Sequence, residues 1–376
     1  MLLHLLNEGK FVDGIIDLFE TVNPFNNKYV LLTDNPRQIQ SESYINTKYL
    51  NIIRPGGAEY RSLLNESKLY DAILLHYLDA PKASFVNSAS AMTKFVWMIW
   101  GGDAYGLLDG YKIYDDATIG LLKKTNATIG GLRFWMIKNR LSGLKRKVFK
   151  SSTLKAIERV SYCTTVIPDD YRIFSERLPL RAKYVDFSYG IKDYFEEREL
   201  DNVITSHILV GNSGYPSNNH LTVLEKLATI NIGDRKIIVP LSYGPTKYIQ
   251  EVIKSGKKLF EDSFIPVTDY LRYGEYANLL SGCSFGIMNH YRQQGMGNII
   301  LLLWMGVKVY LRPENPVFNY LNDQGVFVFP IDSENFSLNK LSCNQVSHNK
   351  GVIKELYNKE RILKKGQHLI NTLITP

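Results

Sequence analysis

Short, almost wholly apolar runs set the strictest limit on what this chain can fold into. Leu2–Leu6, Tyr29–Thr33, Ala72–His76, Phe95–Trp100, Ser161–Ile167 and Tyr184–Phe187 recur through the first half. His207–Val210, Lys236–Pro240, Phe285–Met288 and Val307–Leu311 do the same in the second. Runs this short, without polar alternation, read as strands buried on both faces. Helical periodicity lies between several of them, at Val12–Glu20, Pro168–Arg177, Leu221–Ile230, Thr246–Ser255, Thr268–Ser281 and Asn298–Met305. The alternation predicts an α/β fold in which helices cover parallel sheets.

With 376 residues the chain exceeds one ordinary domain, and two domains of about 150–200 residues are expected. The charged stretch from Lys192 to Asp201 separates the halves. The expected order is a Rossmann-like domain over 1–190, a linker over 191–204, a second Rossmann-like domain over 205–350 and a helical tail over 351–376 packing back on the first. Two such domains would face an interdomain cleft, with ligands at the C-terminal ends of the strands.

Other classes are disfavoured. Cys163, Cys283 and Cys343 are odd in number and far apart, and no CxxC or HExxH occurs. Reduced thiols fit better than a disulfide framework or a zinc site, so no metal is expected. The start, MLLHLLNEGKF, lacks the long apolar run and cleavage site of a signal peptide. The apolar runs also fall below the roughly 20 residues of a membrane span.

Net charge is +8, and no Asp or Glu occurs from Ala117 to Ile157. There Phe134, Ile137, Leu141, Leu144 and Val148 recur at helical spacing among Arg133, Lys138, Arg140, Lys145, Arg146 and Lys147. A basic amphipathic helix suits an anionic membrane surface. It equally suits a solvated helix packed on its own domain. Nucleic acid is disfavoured because no recognition motif is present.

Several strand ends carry loops suited to phosphate. Gly211-Asn-Ser-Gly214 follows Ile208–Val210, and Ser217-Asn-Asn219 precedes the next helical pattern. Glycines admit a ligand to the backbone, although an ordinary capped turn would look similar. Ser242 and Tyr243 lie in Val239–Pro245, a weaker signal. Arg292-Gln-Gln-Gly-Met-Gly297 combines a forked cation, two amides (Gln293 and Gln294) and the turn-forming Gly295 and Gly297 ahead of a helix. Arg312-Pro-Glu-Asn-Pro316 adds Glu314, which can accept from sugar hydroxyls, and Asn315, which can fix the loop. Neither a Walker sequence nor GxGxxG occurs, so a nucleotide-sugar site fits best.

Those loops, with Leu75-His76 and Trp97-Met-Ile-Trp-Gly-Gly-Asp103-Ala-Tyr105, resemble the TDP-N-acetylfucosamine:lipid II N-acetylfucosaminyltransferases of glycosyltransferase family 56. The resemblance spans roughly residues 70–320; Gly102 and the first 70 residues depart from it. It implies a GT-B fold and inverting, metal-independent transfer. It also implies a TDP-Fuc4NAc donor and an undecaprenyl-diphosphate-linked saccharide acceptor at the cytoplasmic face of the bacterial inner membrane. The pathway implied is enterobacterial common antigen, with O-antigen as the alternative where the acceptor half diverges.

Inverting transfer needs a base for the acceptor hydroxyl and donors for the departing diphosphate. Asp103, at a strand end, is the expected base, unless it only caps a helix. His76 is the second candidate, unless it is a structural histidine. A sugar-nucleotide epimerase and a non-catalytic partner in polysaccharide assembly are the rival readings.

Overall fold

A computed structural model describes residues 1–9, 11–36, 47–125, 128–129, 132–133, 150–189 and 206–374. The chain divides into two compact units. The first comprises residues 1–110, 144–192 and 357–376, and the second 111–143 and 193–356.

The first unit is built on β1 (Leu2–Leu6), β2 (Asn27–Leu32), β3 (Leu50–Ile53), β4 (Ala72–His76), β5 (Phe95–Met98), β6 (Tyr162–Thr164) and β7 (Lys183–Tyr184). They form one parallel sheet in the order β3-β2-β1-β4-β5-β6-β7. Every residue of β1, β4 and β5 is buried, as their near-continuous apolar sequences require. The helices of this unit include α1 (Val12–Val22), α2 (Ala58–Asn65) and α3 (Ala80–Ser88).

The second unit begins with α4 (Asp116–Thr125); α5 (Pro168–Arg177) belongs to the first. Its sheet holds β8 (His207–Val210), β9 (Ile237–Pro240), β10 (Phe264–Val267), β11 (Cys283–Met288), β12 (Lys308–Leu311) and β13 (Phe329–Pro330). All pairings are parallel, in the order β10-β9-β8-β11-β12-β13. Helices α6 (His220–Ala228), α7 (Thr246–Phe260), α8 (Tyr273–Ser281), α9 (Met296–Trp304), α10 (Pro316–Asp323) and α11 (Cys343–Tyr357) complete it. Each sheet grows outward on both sides of its first strand, so chain order reverses between β1 and β4 and between β8 and β11. Open α/β sheets bind ligands at that reversal.

Two boundaries differ from the expected domain order. Residues 111–143 belong to the second unit rather than the first. The reason is packing: Leu121 and Leu122 join the core around Val210, Leu224 and Tyr248. The tail changes unit at Tyr357 rather than at 351. Beyond it, α12 (Lys359–Ile374) repeats small or apolar residues at Gly366, Leu369, Ile370 and Leu373, the spacing of one helical face. That face packs on the core formed by Ile15, Phe19, Tyr29 and Leu74. A Cβ on Gly366 would lie 3.2 Å from Val22, so α12 crosses α1 closely there. The linker 191–204 and Lys138, Arg140, Lys145, Arg146 and Lys147 lie outside the described residues. The backbone of Arg133 is described in a short hairpin that pairs 128–129 with 132–133.

Leu369 is fully buried. Leu369→Ala should cost about 2–5 kcal/mol, as large-to-small core changes do. Chemical denaturation followed by circular dichroism will show it as an earlier transition of the first unit.

Candidate active site

At the chain reversal of the second unit, the loops after β8 and β11 are tied together by side-chain amides. Gly211 takes φ +71° as β8 ends. A Cβ there would come within 2.7 Å of Asn218 Oδ1. Asn218 is fully buried; its Nδ2 donates to the Ser213 and Tyr215 carbonyls at 2.9 Å and to Ser213 Oγ at 3.1 Å. Its Oδ1 accepts from the Asn212 amide at 2.9 Å and faces His290 Nε2 at 2.8 Å. Three acceptors around Nδ2 fix the orientation of this amide. The proton of His290 must therefore sit on Nε2, which leaves Nδ1 bare; that atom is buried without a partner.

Gln294 adds a second tie, donating to Asn212 Oδ1 at 3.1 Å and accepting from Ser217 Oγ at 2.6 Å. Gly295 has φ +66° and would place a Cβ 3.0 Å from Asn212, so both its conformation and its space suit glycine. Gly295 heads α9 with no side-chain cap, and Gly297 lies in the first turn. The amides of that turn and the positive end of the helix dipole form the uncapped end. Arg292 Nη1 donates to the Gln293 carbonyl at 2.9 Å, and Gln293 itself is buried. Gly214 donates to the Tyr243 carbonyl at 2.9 Å, and Gly214 and Gly244 touch backbone to backbone. Ser242 is partly exposed in the same turn, and the half-exposed Tyr215 and Tyr243 rings meet edge to face at 5.9 Å.

After β12, Asn315 caps α10 through the Val317 amide at 3.0 Å and donates to the His290 carbonyl at 3.1 Å. Glu314 beside it is exposed. Arg312 stacks on Tyr291, 4.2 Å from the ring centre, with Nη2 3.7 Å from Asp115 Oδ2. Asp115 also accepts from Thr222 Oγ1 at 2.6 Å and from the Thr118 amide at 2.9 Å. Its own amide donates to Asn219 Oδ1 at 2.9 Å, and Tyr111 donates to the Tyr291 carbonyl at 3.0 Å. Sequence reading missed Asp115 and took Asn218 and Asn219 only as capping residues. Their signal is weak, because Asp and Asn near a helix start usually mean no more than a cap.

The first unit places Asp103 and His76 near its own chain reversal. Asp103 is buried. It accepts from the Leu78 amide at 2.9 Å, Trp97 Nε1 at 2.8 Å and the Trp100 amide at 3.1 Å. Burial pushes its pKa up, against those hydrogen bonds. Three fixed donors make Asp103 a tie between the loops after β4 and β5, a poor arrangement for taking a substrate proton.

His76 is equally committed. Asn27 Nδ2 donates to Phe19 O, Glu20 Oε1 and Asn23 O, so Asn27 Oδ1 is an acceptor. His4 Nε2, 3.2 Å from that oxygen, must therefore donate. His4 Nδ1 is then the acceptor for His76 Nε2 at 3.1 Å, and His76 Nδ1 accepts the Tyr189 hydroxyl. The row ends on an amide that cannot take a proton. His76 and its neighbours thus stay neutral, and burial drives the His76 pKa well down.

Residues 179–358 match the family described as 4-alpha-L-fucosyltransferase, glycosyl transferase group 56. That is the family the loops resemble. The chain is a glycosyltransferase. Solved structures share its two-unit α/β fold at low identity. HepE of Anabaena, solved with UDP and glucose, is 11% identical at a TM-score of 0.54, covering 99% of this chain and 95% of that one. A glycosyltransferase of Rickettsia africae is 11% identical at 0.59, covering 100% and 98%. Sucrose-phosphate synthase of Thermosynechococcus elongatus is 11% identical at 0.62, covering 99% of each.

Burial holds His4, His220 and His290 down to about 3, and His76 also well below its ordinary 6.5. The unfolded chain therefore takes up protons below pH 6.5 that the folded chain refuses. Stability should be full above that pH and fall as pH drops towards 3, by about 1.4 kcal/mol per pH unit for each histidine. Each unit holds two of them, so denaturation midpoints should decline steeply for both between pH 6 and 4. A flat profile over that range would contradict the neutral assignment.

Proposed function

We propose that this glycosyltransferase is inverting and metal-independent, and that it moves 4-acetamido-4,6-dideoxygalactose (Fuc4NAc) from its TDP conjugate to an undecaprenyl-diphosphate-linked saccharide. The product would be an intermediate of enterobacterial common antigen or of an O-antigen. The single observation that carries the reading is the pair of loops at the second unit's chain reversal, joined by Asn218 and Gln294 in front of the uncapped end of α9. The family match over the same part of the chain and a fold shared with a protein solved with UDP support a nucleotide-sugar donor.

Breaking the bond between the sugar C1 and the diphosphate leaves growing negative charge on the phosphate oxygens. The first turn of α9 and Arg292 would meet that charge with fixed donors, which need no rearrangement as the reaction proceeds. The Gly211, Asn212 and Gly214 amides are already engaged within the protein and brace the loop beside them. Gln293, Ser242, Tyr243, Glu314 and Asn315 surround or brace the same loops and would orient the donor. A polyprenyl acceptor places the enzyme at the cytoplasmic face of the inner membrane. No described helix is long and apolar enough to cross it, so attachment would be peripheral, by the basic segment around 133–147 on anionic lipid.

Thermal-shift titration with TDP, UDP and GDP, repeated in EDTA, tests the donor. TDP should raise the melting temperature selectively, and chelation should leave the shift unchanged. A shift with UDP alone would sink the thymidine assignment, and one abolished by EDTA would sink metal independence. Arg292→Ala should lower turnover by about 10²–10³-fold, the usual loss for one donor to developing charge.

A further inference from the structure

The loop that carries Arg292 follows β11, which ends at Met288. Beyond that point side chains hold its backbone. Asn219 Nδ2 donates to the Asn289 carbonyl at 3.1 Å, and Asn315 Nδ2 donates to the His290 carbonyl at 3.1 Å. The Tyr111 hydroxyl donates to the Tyr291 carbonyl at 3.0 Å. Asn219 follows β8 and Asn315 follows β12, the two neighbours of β11 in the sheet. Tyr111 has a different origin. It stands 180 residues earlier, where the chain enters the second unit.

Residues 111–115 are themselves anchored in this unit. Asn219 Nδ2 donates to the Ile113 carbonyl at 3.2 Å, and the Asp115 amide donates to Asn219 Oδ1 at 2.9 Å. Asp115 caps α4 by accepting from the Thr118 amide at 2.9 Å. A neutral asparagine or serine would cap as well, so the cap does not account for the charge. The charge faces Arg312: Oδ2 lies 3.7 Å from Nη2, and the Arg312 and Asp115 side chains keep 11% and 9% of their surface exposed. Arg312 lies 4.2 Å from the centre of the Tyr291 ring, and its Nε is buried without a partner. A cation so enclosed needs an anion beside it, because an uncompensated buried charge is costly. Lys112 Nζ stands 4.8 Å from the same ring. Ring and carbonyl of Tyr291 are thus both held by way of residues 111–115, and the next residue is Arg292.

We propose that Asp115 and Tyr111 are positioning residues of the transfer, acting on Arg292 through Arg312 and Tyr291. The assignment rests on the transferase reading and on Arg292 as a donor to the departing diphosphate. A long side chain on a loop keeps its place only if the backbone beneath it is fixed. A misplacement of about 1 Å at a reacting centre can cost about 10²-fold in rate. Tyr111 fixes the carbonyl that precedes Arg292, and Asp115 keeps Arg312 on the ring.

Asp115→Asn retains a cap for α4 and a partner for Thr222 while removing the charge that faces Arg312. Tyr111→Phe removes one hydroxyl. Each is made in the wild type and in Arg292→Ala. Turnover is measured with TDP-Fuc4NAc and a short-chain polyprenyl-diphosphate disaccharide, and folding is checked by circular dichroism. In the wild type, Asp115→Asn should lower kcat by about 10–10²-fold and Tyr111→Phe by about 3–10-fold. In Arg292→Ala each should lower it by less than about twofold, because residues that act as a unit do not contribute additively. A merely structural role would give the same factor in both backgrounds, and that result overturns the assignment. Wild-type turnover in both single variants also overturns it. Should Asp115→Asn fail to fold, the Tyr111→Phe pair decides by the same comparison. A wild-type protein that transfers no sugar overturns the proposed function, and this assignment with it.

Discussion

The donor crevice depends on one planar amide. Asn218 is fully buried, and both ends of its side chain are occupied, the nitrogen by oxygens of its own loop and the oxygen by Asn212 and His290. Those contacts set the width between the loops after β8 and β11, and nothing else of its size can make them. An aspartate would present oxygens to the Ser213 and Tyr215 carbonyls, and an alanine would leave the Asn212 amide and His290 Nε2 unpaired. In a dry site each orphaned donor costs about 1–3 kcal/mol. The neighbouring Asn219, in the left-handed region at φ +50°, repeats the device one residue on. It joins Asp115, Ile113, Ser217 and Asn289 through a single side chain.

The first unit solves the same problem with histidines and a carboxylate. His4 lies on β1 and His76 on β4, the strands on either side of the chain reversal, and a hydrogen bond joins their rings. Asp79 and Asn7 then join the loops that follow. Both units thus spend their buried polar groups where the sheet reverses. A parallel sheet opens a crevice there, and the loops on its two sides have no backbone ladder to hold them together. Side chains must supply the tie, and burial makes an incomplete tie expensive.

This division explains what was legible in the sequence. β1, β4, β8 and α5 begin and end where the apolar pattern places them, because a strand covered on both faces cannot hide its composition. β10 and β13 were not foreseen. They lie at the edges of their sheet and contain Pro266 and Pro330, a residue that argues against a strand except at an edge. α4 was read as part of one long basic segment, although Leu121 and Leu122 are core residues. Charge on its exposed face hid a short apolar face. Glycine-rich loops announced the donor crevice, since backbone geometry leaves a mark in sequence. Asp79 and Asp115 left none, and Asn218 was legible only as a capping residue, because their role depends on which strand lies next to which.

Arg292 and Arg312 both follow strands of the second sheet, yet they are not equivalent in chemistry. Arg312 lies on the Tyr291 ring and faces Asp115, so its charge is already partly answered within the protein. A cation held in that way is well placed to fix the shape of a loop and poorly placed to gain energy from a second anion. Arg292 contacts a neutral carbonyl, Gln293 O, and has a like-signed influence on His290, whose proton affinity it helps to lower. A positive charge already fixed at the head of α9 gains energy without rearrangement when phosphate charge grows beside it. The neutral state of His290 then has a second consequence: its Nε2 remains a donor to Asn218, and the loop that carries Arg292 keeps its place through the reaction.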